Sequence, residues 1–234
     1  MTKVITKKKA ATKKVAKKNI TNLIIIDASG SMTSKVDEVI GGLKQLFGQI
    51  KEDMKKDKKL VNVRNIVLDF SSYKDTNILV DSKNADDLKD SIAELYTTRG
   101  MTALLDAIGK GFSMVDKNED GVFINILTDG EENDSKEFTS SQITDLIDNA
   151  KKKNWAVTFM GTTENSIKTA KSWGISAGNT MSFADNERGV KMSMTRSRNA
   201  RSTYYAASLS GENANLNDLL VDEDKADDLL NNKK

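Results

Sequence analysis

Short unbroken runs of large aliphatic residues alternate along this chain with stretches in which apolar residues recur every three or four positions. The run Leu23-Ile24-Ile25-Ile26 predicts a strand over 20–27 buried on both faces, as central parallel strands are. Val36, Val39, Ile40, Leu43, Leu46, Phe47 and Ile50 then follow helical spacing. Val61, Val63, Ile66, Val67, Leu68 and Phe70 read as a strand and Ile78-Leu79-Val80 as a shorter one. The gap Ser71-Ser72-Tyr73-Lys74-Asp75 lets these two pair as an antiparallel hairpin. Leu88, Ile92 and Leu95 predict a short helix. Leu104, Leu105, Ile108, Phe112 and Val115 predict a longer one, entered through Gly100-Met101-Thr102. Val122 to Leu127 is another buried strand and ends at Thr128-Asp129-Gly130. Ile143, Leu146, Ile147 and Ala150 mark a helix with Ser140 or Thr139 as its N-cap. Trp155 to Met160 reads as a strand closed by Gly161. Ile167, Ala170 and Trp173 mark a helix stopped by Gly174. A short strand over Thr180 to Phe183 and a helix over 186–205 complete the pattern.

Strands alternating with helices imply an α/β fold: a doubly wound, mainly parallel sheet with one antiparallel edge strand and helices on both faces. Ligands of such sheets bind beyond the carboxyl ends of the central strands, where the direction of connection reverses. Asp27 and Asp129 both stand at strand ends of that kind.

Composition narrows the chemistry. The 234 residues suit one sizeable domain with tails, and 38% hydrophobic with 30% charged residues is ordinary for a chain with a filled core. No run approaches the roughly 18 apolar residues of a membrane span. Cysteine and histidine are both absent, which excludes disulfides, thiol catalysis, a Ser-His-Asp triad and the common zinc ligand sets. Proline is absent as well, and no physical reason for that is apparent. With no cysteine and no long apolar core behind the basic N-terminus, a cytoplasmic protein is expected.

The net charge of +2 is unevenly spread. Lys3, Lys7, Lys8, Lys9, Lys13, Lys14, Lys17 and Lys18 share the first 18 residues with no acidic residue, so the remainder is net acidic. Low complexity and few apolar groups there predict a disordered arm over 1–18. A body follows over 19–205, and 206–234 is an acidic tail or docking segment, whose Leu216, Leu219, Leu220, Leu229 and Leu230 suit a short helix. The cluster Arg196-Ser197-Arg198-Asn199-Ala200-Arg201 either extends a basic face or pairs with that acidic end. The lysine arm reads first as a solvated tail, second as a non-specific nucleic-acid contact and third, having little apolar surface to insert, as attracted to a membrane surface.

Candidate chemistry gathers at three loops. Asp27, Ser29, Ser31, Thr102 and Asp129 offer two carboxylates and three hydroxyls. An all-oxygen set suits Mg2+ or Mn2+ and gives little to zinc or copper. Two carboxylates balance a divalent charge, and the open part of the octahedron can accept a carboxylate from a partner. Each motif alone is an ordinary polar turn or helix cap; three of them in order at the ends of one sheet favour a metal site. Asp106, one turn into the helix after Thr102, is expected to anchor loops. Glu131, Glu132 and Asp134 are expected at the rim, mainly as solvated charge.

Asp27-x-Ser29-x-Ser31, Gly100-Met101-Thr102-Ala103-Leu104 and Leu127-Thr128-Asp129-Gly130 resemble the three motifs of the metal-ion-dependent adhesion site of von Willebrand factor type A domains. The resemblance covers roughly 20–205. Arg99 to Gly109, Asp129-Gly130-Glu131-Glu132-Asn133-x-Ser135 and the Trp155 strand are more narrowly similar to small bacterial and phage-encoded A-domain proteins. Met101 stands where glycine or serine is common. The resemblance implies that Ser29 and Ser31 ligate the metal through their hydroxyls. It implies that Thr102 does so directly in one state and through water in another, and that Asp27 and Asp129 act directly or through water.

The function expected is non-enzymatic: a cation-dependent binding module whose metal bridges to an acidic residue of a protein partner. The alternative is a nucleic-acid-associated or structural protein acting through its lysine arm. A metal-dependent hydrolase with Asp27 as nucleophile ranks below both. It lacks a second carboxylate at position 29, a histidine base and a phosphate-binding lysine loop.

Overall fold

β1 (Lys18–Asp27) is buried from Ile20 to its end, and the remaining elements are laid around it. The structure, a computed structural model, describes residues 17–210 and 216–220. β1 pairs in parallel with β2 (Val61–Phe70) on one side and β4 (Gly121–Leu127) on the other. β3 (Thr76–Ser82) runs antiparallel to β2 at one edge, and β5 (Ala156–Gly161) and β6 (Thr180–Ser182) continue in parallel beyond β4. The strand order is β3-β2-β1-β4-β5-β6. The chain thus winds from β1 toward one edge and from β4 toward the other, and the reversal falls between the two central strands.

Side chains on successive strand positions face opposite ways, and this divides the core. Ile24 and Ile26 pack with Val39, Leu43 and Phe47 of α1 (Val36–Lys56) and Met194 and Tyr204 of α6 (Glu187–Ser210). Leu23 and Ile25 pack on the other face. Their neighbours there come from α3 (Leu104–Met114), α4 (Ser140–Lys152) and α5 (Glu164–Ser172), with Ile108, Ile147 and Ala170 among them. The doubly wound fold with one antiparallel edge strand is as expected.

Local signals act where they stand. Thr139 caps α4 in a reciprocal capping box with Gln142. Gly174 follows α5 with φ +93, a conformation that glycine adopts without a Cβ clash. Two elements differ from the periodic reading. The short helix expected around Leu88 to Leu95 is a 3-10 turn over Ala85–Asp87 followed by one helical turn, α2 (Asp90–Ala93), and Leu95 is exposed. α6 runs to Ser210, beyond the expected end at 205.

The foot of the sheet carries a buried polar seam. Asn22 Nδ2 donates to Asn65 Oδ1 at 2.8 Å, across directly paired positions of β1 and β2. Arg201 of α6, fully buried, donates through Nε to Asn22 Oδ1 at 3.3 Å and pairs with Asp53 of α1. One guanidinium therefore links two helices to the central strand. Arg201 is not part of a basic surface, and Arg198 donates to Gln45 Oε1 at 2.7 Å.

Residues 216–220 lie against the loop before β6. Leu220 N donates to Gly178 O and Leu219 N to Asn179 Oδ1, both at 2.9 Å, and Leu220 is buried in the α1/α6 core. The arm expected over 1–18 lies outside the described residues up to 16, as do Leu229 and Leu230. Lys18 opens β1 and donates to Ser208 O at 2.6 Å. No helix among the described residues is long and apolar enough to cross a membrane.

Arg201→Met removes the buried member of its pair with the partly exposed Asp53 while nearly keeping its volume. It lowers the unfolding free energy by about 3 kcal/mol, because Asp53 and Asn22 lose their partner. Urea denaturation reads this as a lower midpoint at unchanged slope, and adding Asp53→Met restores most of the loss.

Candidate metal centre

β1 delivers Asp27 to the top of the sheet with its side chain fully buried. Asp27 Oδ1 accepts Ser29 N–H at 2.7 Å and Oδ2 accepts the Thr128 hydroxyl at 2.5 Å. Its backbone carbonyl accepts the Tyr96 hydroxyl at 2.6 Å. Burial pushes its carboxyl up to about 6, and the bonds from Thr128 and Ser29 only partly offset that. The nearby charge of Asp129 adds to the rise.

After Asp27 the chain turns through Ala28 and Ser29 into a 3-10 helix over Gly30–Lys35 and then α1. The Ser29 and Ser31 hydroxyls share a hydrogen bond at 3.1 Å, and Ser31 donates to Asp129 Oδ1 at 2.6 Å. Gly30 N donates to Gly100 O at 3.2 Å, which draws in the loop carrying Thr102. Gly100 has φ +59, which favours glycine, and a Cβ there would stand 2.3 Å from Ser72 Oγ and push that hydroxyl off its bond to Met101 N–H.

Thr102 is buried, and its backbone is clamped: its N–H donates to Asn133 Oδ1 at 2.9 Å and its carbonyl accepts Asn133 N–H at 3.0 Å. A Cβ on Gly130 would meet Thr102 Oγ1 at 3.1 Å and Asp27 Oδ2 at 3.6 Å, so both groups border the space that this glycine leaves open. The structure thus brings Asp27, Ser29, Ser31, Thr102 and Asp129 into one cluster. Ser31, Gly30 and Met101 are exposed and form its solvent side.

Neighbouring acids are spent on the loops. Asp106 Oδ1 accepts the backbone N–H groups of Glu137 and Phe138 at 2.9 and 2.8 Å, and Oδ2 accepts that of Lys136 at 2.8 Å. It is an anchor, as expected. Glu132 accepts Leu105 N–H at 2.9 Å and Ser135 N–H at 2.7 Å, and Asp134 accepts Tyr73 N–H at 2.8 Å. These two tie α3 and the β2–β3 turn to the loop after β4 and are not simply solvated charge. Glu131 Oε1 accepts the Thr163 hydroxyl at 3.2 Å. Arg99 bridges Asp69 at 2.6 Å and Asp75 at 3.0 Å.

One group at the centre goes unnoticed in the sequence reading. Lys35 is buried, and its ammonium donates to Asp129 Oδ2 at 2.5 Å and Ser31 O at 3.1 Å and pairs with Asp185. Burial disfavours its charge, yet the carboxylates of Asp129 and Asp185 outweigh that and hold it above the usual lysine range. A signal was present: Met32, Lys35 and Val39 share one stripe, at i, i+3 and i+7, with two apolar residues flanking the lysine.

The residues fit a hard cation. Every side-chain donor is oxygen, Asp27 is buried with no cationic partner among the described residues, and an ammonium already answers Asp129 as a stand-in cation. Among the described residues no group of three or more histidine, cysteine, aspartate or glutamate side chains could hold a metal. A site here would therefore rest on hydroxyls as much as on carboxylates.

The von Willebrand factor type A domain profile matches residues 23–196. The chain belongs to this family. Type A domains are binding modules rather than enzymes, in line with the non-enzymatic expectation. No curated protein matches the chain in sequence. Among solved structures it is similar to the pilus adhesin SpaC from Lactobacillus rhamnosus GG (TM-score 0.60, 15% identity, 80% of this chain and 30% of that one). It is similar to the D319A mutant of the PilB minor pilin from Streptococcus sanguinis (TM-score 0.54, 14% identity, 84% and 64%). A third is the mussel byssus proximal thread matrix protein 1 with a zinc-occupied MIDAS motif (TM-score 0.56, 14% identity, 78% and 45%). The type A chain spans less than two thirds of each, and at these identities the likeness is one of fold.

The cytoplasmic expectation is overturned by these comparisons, which are to pilus and byssus proteins rather than cytoplasmic ones. Its main ground was the lack of cysteine, which excludes disulfides but is compatible with either side of a membrane.

In chelator, Asp27 gives the type A domain a pH signature. Its carboxyl binds a proton more tightly folded, at about 6, than at its ordinary 3.8, so its stabilising contribution is complete below the lower value and is lost as pH rises through the upper one. The change amounts to about 3 kcal/mol. Urea denaturation of wild type against Asp27→Asn reads it as a difference that grows in the variant's favour from pH 4 to 7.

Proposed function

We propose that this type A domain is a divalent-cation-dependent protein-binding module. Asp27, Ser29, Ser31, Thr102 and Asp129 hold Mg2+ or Mn2+, which bridges to an acidic residue of a protein partner. The observation that carries this reading is the gathering of five oxygen-bearing side chains at the ends of β1 and β4: the Ser29 and Ser31 hydroxyls share a hydrogen bond, Ser31 donates to Asp129, and Thr102 and Asp27 border the space beside Gly130. The family and the pilus-type structural relatives support a protein partner, and the relative described with a zinc-occupied MIDAS motif supports a metal at this place in the fold.

The bound cation supplies a Lewis-acidic position that a partner's carboxylate can occupy. The chain's own residues make that position specific. Ser29 N–H and Thr128 hold the Asp27 carboxylate in one orientation. The Asn133 clamp fixes the Thr102 backbone, so only its hydroxyl is left to adjust. Exposed Ser31, Gly30 and Met101 leave an approach for a partner's side chain. Asp27 has both oxygens engaged as acceptors, which suits a fixed ligand better than an attacking nucleophile.

Thermal melts with Mg2+, Mn2+ and Zn2+ test this. A cation at a hundredfold excess over its Kd stabilises the fold by about 2.7 kcal/mol. The expected result is a rise in Tm of several degrees with Mg2+ or Mn2+ that is absent in Asp129→Ala and Thr102→Val. A folded wild-type protein that shows no shift with any of the three overturns the proposal.

A further inference from the structure

We propose that Lys35 is a resident cation of this centre, which an incoming divalent ion displaces from Asp129, and that Asp185 is the group that keeps the displaced ammonium. The inference rests on the cation-binding reading above and adds a competitor and its receiving site, both encoded in this chain.

The ammonium has three N–H donors, and three acceptors meet them: Asp129 Oδ2, Asp185 and the Ser31 carbonyl. Asp129 is equally committed, with Oδ1 on the Ser31 hydroxyl and Oδ2 on Lys35. A divalent ion engaging Asp129 or Ser31 meets a positive charge already seated on the same carboxylate. Two cations on one buried carboxylate repel strongly, since little solvent screens them. One must yield, and the lysine, on a flexible four-carbon stem, is the one that can swing.

Asp185 gives it somewhere to go. Its side chain is 64% exposed, in the loop just before α6, whereas the Asp129 side chain is 1% exposed. The Lys35–Asp185 pair can therefore persist after the bond to Asp129 is broken, with solvent meeting the remaining donors. No further positive partner of Asp129 is required once the divalent ion has replaced the ammonium. A purely structural lysine needs no second carboxylate on an exposed loop. A lysine that must leave and stay charged does.

The two variants therefore act with opposite sign. Isothermal titration of Mn2+ into the full chain, checked by the loss of the free-Mn2+ EPR signal, reads each. Lys35→Met removes the competitor and tightens Mn2+ binding by tenfold or more. Asp185→Asn removes the receiving carboxylate, makes displacement harder and weakens binding severalfold. The double variant binds as Lys35→Met does, because Asp185 acts only through the lysine.

Mn2+ binding by wild type that is unchanged or weakened in Lys35→Met overturns the proposal and leaves the cation-binding reading standing. Binding by Lys35→Met where wild type shows none supports it. Should Lys35→Met fail to fold, Asp185→Asn decides alone, being at an exposed position: unchanged or tighter binding overturns the proposal. No Mn2+ binding by any folded variant overturns both readings together.

Discussion

Two carboxylates buried side by side at the top of a sheet impose the main constraint on this molecule. Asp27 and Asp129 are neighbours because β1 and β4 are adjacent parallel strands, and the sheet cannot form without bringing their ends together. Buried negative charge is costly unless it is bonded or neutralised. The loops around it are organised to do both. Backbone and hydroxyl donors surround Asp27, while the Ser31 hydroxyl and the Lys35 ammonium answer Asp129. The compensation is unequal: Asp27 has no cationic partner among the described residues, and burial pushes its carboxyl up.

A second tier holds those loops in place. Asp106 fastens the segment that leads into α4, Glu132 joins α3 to the loop after β4, and Arg99 ties its own loop to the β2–β3 turn through Asp69 and Asp75. At the opposite end, Arg201 links α1, α6 and β1. Among the described residues, buried charge thus gathers near the two ends of the strands. The site is carried on central strand ends fastened from two faces, a suitable base for holding a geometry against a partner's pull. Membership of the type A family accords with that use, and the absence of histidine and cysteine leaves oxygen as the available ligand chemistry.

Most of the architecture is legible in the order of residues, because burial leaves a period. Both-face burial makes β1 and β4 continuous aliphatic runs, and one-face burial gives α1 its three- and four-residue spacing. The reading fails where the period is short or mixed. Around Leu88 to Leu95 three apolar residues at helical spacing yield only one helical turn, since few residues are too weak a nucleus to set a longer helix. In α6 the apolar stripe is interrupted by Ser193, Ser197 and Arg201, all buried. A polar residue at a buried position reads as surface until its partners are known. Lys35 is hidden for the same reason, although Met32 and Val39 mark its face.

The sequence by itself determined the sheet, its two helical faces and the three loops that carry Asp27, Ser29, Ser31, Thr102 and Asp129. These follow from backbone periodicity and local turn chemistry, which are short-range properties. Only the tertiary structure decided how the charges are settled. It placed Lys35 between Asp129, which lies 94 positions away in the chain, and Asp185, which lies farther still. It buried Arg201 and turned Glu132 and Asp134 from solvated charge into loop anchors. Ion pairing in a low-dielectric interior depends on distances of a few ångströms between segments remote in the chain, and no local pattern encodes those distances.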